Sequence, residues 1–169
     1  MKIKGFTSVE QSFYERSGRD MMTAKCPYIV VSNFPDLGLL TSLRFLEWVA
    51  ENPQGVISLP TGKTPEYFIK WTQYLLSNWD KPQAEAKRKD NGLMLINKPD
   101  LRGLRFVQID EFYPINPKQH NSFYDYVNKF YLKGFSLDPA NALLINSDEI
   151  PLADGLHFTD VFPNGIIDL

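Results

Sequence analysis

The chain has 169 residues, enough for one domain with a real core and too few for two comfortable ones. Its 43% hydrophobic and 14% aromatic content excludes a disordered polymer, and a net charge of −2 gives no electrostatic case for nucleic acid or an anionic membrane as partner. A single cysteine, Cys26, excludes an intramolecular disulfide and lacks the Cys/His neighbours of a zinc site, so it reads as a small buried apolar residue.

No apolar leader opens the chain and no run reaches transmembrane length, so the expected setting is the reducing cytoplasm. Along the chain, strands and helices alternate. Residues 28–33 (Tyr-Ile-Val-Val-Ser-Asn) are apolar and β-branched and predict a strand. Asp36 is placed to cap a helix over 37–50, with Leu37, Leu40, Leu43 and Trp48 among the candidates for its buried stripe. Residues 55–59 predict a second strand and 65–78 the helix after it. Residues 80–92 are polar, and 85–90 mostly charged, which reads as a solvated excursion with room for a helical turn. Residues 105–109 predict a third strand. Residues 122–132 predict a helix with Phe123, Val127 and Phe130 at helical spacing, and residues 143–145 a fourth strand. Beyond residue 151 no clear period survives. Short apolar strands alternating with helices predict an α/β, doubly wound, mostly parallel Rossmann-like sheet over residues 1–169 as a single domain.

Two loops carry the chemistry, and in such sheets ligands sit beyond the carboxyl ends of the strands. The first is Leu59-Pro-Thr-Gly-Lys-Thr-Pro65. A strand that breaks at such a turn and re-enters as a helix aims unpaired N–H groups and the positive helix end at one point, a place for a phosphate or carboxylate. Gly62 allows close approach, Thr61 and Thr64 add hydroxyls, and Pro65 suits the first helical position. The plainer alternative is an ordinary strand–helix corner capped by Thr64. The GxxxxGK[ST] spacing of the nucleoside-triphosphate loop is absent.

The second loop follows residues 105–109 and carries Asp110 and Glu111. Two adjacent carboxylates repel, which suits one of them to proton acceptance near neutrality. The alternative has Asp110 capping a turn and Glu111 pointing into solvent.

Taken together, Leu59-Pro-Thr-Gly-Lys-Thr-Pro65, Asp110-Glu-Phe112 and His120-Asn-Ser-Phe-Tyr124 resemble, in order, the motifs of the glucosamine-6-phosphate deaminase/isomerase family, related to 6-phosphogluconolactonase. The resemblance runs from about Val30 to Ile145. It implies that Thr61, Gly62, Lys63 and Thr64 cradle the phosphate of a sugar phosphate. Asp110 would carry a proton between C2 and C1, and Glu111 would shape the site. The substrate carbonyl serves as electron sink, so neither metal nor organic cofactor is implied. Phe112 stands where the deaminases usually have tyrosine, and Tyr113 is a candidate replacement. A hydrolase of the 6-phosphogluconolactonase type is the rival enzyme reading, although that family tends to carry Arg after the acidic pair. A non-catalytic sugar-phosphate sensor is the rival outside the enzymes, without the basic helix-turn-helix such regulators add.

The family's later histidine-containing loop has no counterpart between Ile145 and Leu169. His157 reads as an ordinary loop or helix residue and His120 as structural. The chain therefore resembles the N-terminal part of a longer domain, expected to be inactive in isolation and, through an unfinished sheet, to self-associate as a homo-oligomer.

Overall fold

The computed structural model describes residues 3–19 and 25–167. They form two compact units. The first contains the described residues up to 53 together with 65–100, and the second contains 54–64 and those from 101 onward.

The first unit is helical. Helix α1 (Ser8–Ser17) opens on a capping box: Thr7 Oγ1 accepts the Glu10 N–H at 3.4 Å, and the Glu10 carboxylate accepts the Thr7 N–H at 2.8 Å. It stops at Gly18, whose φ of 61° is left-handed. Helix α2 (Phe34–Glu51) is capped by Asn33, whose Oδ1 accepts the Asp36 N–H at 2.8 Å. Asp36 is thus a first-turn residue, well placed against the helix dipole, and not the cap. Residues 28–33 form no strand, because their last two residues bend into that cap. The buried stripe of α2 is Leu39, Leu43, Leu46 and Val49. Of the four expected positions only Leu43 is buried, since the helix presents the neighbouring face to its partner.

That partner is α3 (Glu66–Ser77), which buries Phe68, Ile69, Leu75 and Leu76. The two helices touch at Gly38, where an added Cβ would lie 2.4 Å from the Tyr67 Cβ. The buried hydroxyls of Ser42 and Thr72 meet at 3.0 Å across the same contact. The polar stretch 80–92 is more than a turn, because it contains α4 (Pro82–Asp90). Arg88 within it is buried, its Nη1 donating to the Trp79 carbonyl at 2.8 Å and its guanidinium 3.6 Å from the Trp79 ring centroid. Cys26 is exposed rather than buried.

The second unit is built on three short strands, β1 (Val56–Ile57), β2 (Arg105–Val107) and β3 (Ala142–Leu143), in the order β1-β2-β3 and all parallel. Val56 is registered with Arg105, and Phe106 with Ala142. Each strand is shorter than its apolar run, because the residues after it leave the ladder to form loops. Ser122 caps a continuous helical run made of α5 (Phe123–Tyr126), a π-helical segment (Val127–Leu132) and α6 (Lys133–Phe135). Phe106, Ile115, Val127, Tyr131, Leu132, Phe135 and Leu137 form the unit's core. A last short helix, α7 (Phe158–Val161), follows His157 and buries Phe158. The protein is mixed α/β with a parallel sheet. Among the described residues no helix is long and apolar enough to cross a membrane.

Candidate functional site

Because β1 and β2 are adjacent and parallel, the loops that follow them leave the sheet at the same end. The loop after β1 carries residues 61–64, and the loop after β2 carries Asp110 and Glu111. The two strand ends are also tied directly, Ser58 Oγ donating to the Val107 carbonyl at 2.7 Å.

The 61–64 turn is open. Gly62, Lys63 and Thr64 are exposed and Thr61 half-buried. Gly62 has a φ of +90°, and a Cβ built on it would meet no atom within 4 Å. The position therefore selects glycine by backbone conformation and leaves space in front of the turn. Thr64 does not cap the helix that follows. The N-cap of α3 is Pro65, one residue before the position expected for it, and no side chain caps that helix.

Beneath the turn lie two tyrosines of the α5–π–α6 run. Tyr126 Oη donates to the Gly62 carbonyl at 2.8 Å, and Tyr131 Oη donates to the Pro60 carbonyl at 2.5 Å. Burial, and secondarily the neighbouring Tyr126, push the ionisation of Tyr131 far above the ordinary phenol range.

The two carboxylates of the second loop have opposite surroundings. Glu111 is saturated: Oε1 accepts the N–H groups of Phe112 at 2.9 Å and Phe123 at 3.1 Å, and Oε2 accepts Ser122 Oγ at 2.8 Å and the Tyr124 N–H at 2.7 Å. It clamps the loop to the first turn of α5, where a negative charge complements the helix dipole. It does not point into solvent. Asp110 is exposed, and its carboxylate accepts no hydrogen bond among the described residues. Its backbone is nonetheless fixed. The buried Gln108 donates from Nε2 to the Asp110 carbonyl at 2.8 Å, while its Oε1 accepts the Ile145 N–H at 3.0 Å.

Phe112 packs on Phe123, ring centroids 4.9 Å apart, and Tyr113 donates its hydroxyl to the Pro151 carbonyl at 3.0 Å. The Tyr113 hydroxyl is therefore already engaged. His120 is exposed ahead of Ser122. His157 caps α7 and engages the Asp148 carbonyl through Nδ1. Gln108, Tyr126 and Tyr131 carry no motif of their own. The one signal for Gln108 is a polar residue interrupting an apolar strand just before the acidic pair. Among the described residues, no group of three His, Cys, Asp or Glu side chains is arranged to hold a metal ion.

No protein-family model matches the sequence, and no curated protein matches it. Among solved structures the chain is similar to a monomeric glucosamine-6-phosphate deaminase described as a missing link of the NagB superfamily. The TM-score is 0.55 and the sequence identity 18%, over 74% of this chain and 44% of that one. This chain spans less than half the length of that enzyme. The likeness establishes the fold, an α/β domain of Rossmann-like type.

Proposed function

We propose that the second unit binds a sugar phosphate and belongs to the isomerase/deaminase type, with glucosamine 6-phosphate as the leading ligand. The carrying observation is convergence. Three separate sequence segments, residues 60–64, 110–112 and 122–131, are joined to one another by the hydrogen bonds of Glu111, Tyr126 and Tyr131. In this reading Thr61, Gly62, Lys63 and Thr64 hold the phosphate through backbone N–H groups, hydroxyls and the Lys63 charge. Asp110, free at its carboxylate and fixed at its backbone, accepts and returns the proton in an enol-type transfer between C2 and C1. Glu111 shapes the site by holding the loop to α5. Its four donors leave it no role as a proton carrier.

Two observations favour a second reading, in which this chain binds the sugar phosphate without turning it over. The His157 ring is engaged with the Asp148 carbonyl through Nδ1, and the sequence offers no other histidine except the exposed His120. Measuring heat of binding and ammonia release side by side, with glucosamine 6-phosphate and the 169-residue chain, separates the readings. Binding with no appreciable ammonia is the expected result. Robust ammonia release would assign the missing step to one of the two histidines, and no binding would remove both readings.

A further inference from the structure

Tyr126 and Tyr131 are five residues apart. In an α-helix, at about 100° per residue, such side chains diverge by about 140°. The segment Val127–Leu132, which begins directly after Tyr126, is π-helical, and its wider i→i+5 turn brings residues five apart closer to one face than an α-helix would. The two rings consequently lie together, centroids 5.9 Å apart, and both hydroxyls reach the same turn.

What they grip has a consequence for the amides. Across a planar trans peptide the carbonyl and the next N–H point in opposite directions. The Pro60 carbonyl points to Tyr131, so the Thr61 N–H points away from the α5–π–α6 run. The Gly62 carbonyl points to Tyr126, so the Lys63 N–H points away as well. The positive φ of Gly62 lets two such peptides stand in one short turn. The same grip engages two carbonyls whose negative ends would otherwise be free to repel an anion.

We infer that Tyr126 and Tyr131 are positioning residues for an anion site, their hydroxyls turning the Thr61 and Lys63 N–H groups outward to receive a phosphate monoester. The inference rests on the sugar-phosphate reading of the turn and adds to it what orients the turn. Neither ring touches the ligand in this arrangement. Both act through the backbone, so loss of a hydroxyl lowers affinity while the unit stays folded.

The test uses the 169-residue chain and its Tyr126→Phe, Tyr131→Phe and double variants. Amide resonances of residues 61–64 are followed by NMR, first without ligand and then on titration with glucosamine 6-phosphate and with inorganic phosphate. Each single substitution is expected to weaken binding roughly fivefold to tenfold, as loss of one orienting hydrogen bond does. The Thr61 and Lys63 resonances are also expected to move before any ligand is added. If the wild type binds at residues 61–64 and the double variant binds equally well, the tyrosine role is overturned and the site stands. If the wild type shows no perturbation there, the sugar-phosphate reading falls and this inference with it. Should Tyr131→Phe, at a fully buried ring, fail to fold, the half-buried Tyr126→Phe decides the matter.

Discussion

The Ser122 hydroxyl donates to the Glu111 carboxylate at 2.8 Å, and that oxygen also accepts the Tyr124 N–H at 2.7 Å. One side chain thereby fastens the loop after the central strand to the start of the helical run that carries both turn-holding tyrosines. Glu111→Gln keeps the shape but replaces one acceptor oxygen by a donor nitrogen facing N–H and O–H groups. It is expected to lower stability by about 1–3 kcal/mol, read as a shift in the denaturant midpoint with the slope unchanged. A midpoint equal to wild type would show that the clamp contributes nothing.

Asp110 has the opposite character, exposed and without side-chain partners among the described residues, so its substitution should touch chemistry alone. Asp110→Asn is expected to leave fold and sugar-phosphate affinity within about twofold. It should also remove any solvent deuterium incorporated at C1 of fructose 6-phosphate, since the amide cannot accept the proton. Incorporation that survives in the Asn variant would end the proton-carrier assignment.

Residues whose partners lie nearby in the chain can be read from the sequence, and residues held by distant partners cannot. The three strands are readable as apolar runs, the helix at 66 from the turn before it, and the helix at 123 from the spacing of Phe123, Val127 and Phe130. Residues 28–33 have the composition of a strand, but their end is drawn into the Asn33 cap. Arg88 looked like part of a solvated charge run because its burial depends on the Trp79 ring nine residues earlier. The 61–64 turn and the acidic pair could be named from local motifs. What organises them could not, since Tyr126 and Tyr131 meet carbonyls 64 and 71 residues away in sequence. Telling Glu111 from Asp110 likewise required the helix start that Glu111 caps.

Gly38 lies in mid-helix, where sequence reasoning assigns it no task, yet it sets the contact between α2 and α3. Gly38→Ala places a Cβ 2.4 Å from the Tyr67 Cβ and 2.5 Å from its backbone carbon, which forces the helices apart. The gain in helix propensity, about 1 kcal/mol, is smaller than the overpacking cost of about 1–3 kcal/mol. A net loss of thermal stability is the expected outcome, and a more stable variant would contradict the contact.

Asp148 supplies a pH dependence. The Thr159 hydroxyl, donating to its carboxylate at 2.6 Å, is the chief cause holding this carboxyl below its ordinary value of 3.8. A depressed folded value means the interaction stabilises above 3.8 and is lost as pH falls through the folded value. Acidification below pH 3.8 should therefore release the Thr159 N–H, which Asp148 also holds at 3.1 Å, and loosen the start of α7. Amide exchange at Thr159 measured across that range checks it. In Asp148→Asn the acid-dependent step should disappear, and a step that persists would place its origin elsewhere.

Calorimetric titration of the chain with glucosamine 6-phosphate and with unphosphorylated glucosamine decides whether residues 61–64 receive a phosphate. The phosphate ester is expected to bind and the free sugar not. Gly62→Val, which puts a branched side chain at a φ of +90° in the open space before the turn, is expected to abolish binding while the fold persists. Equal affinity for the two sugars, or undiminished binding by the Val variant, would mean that residues 61–64 hold no phosphate.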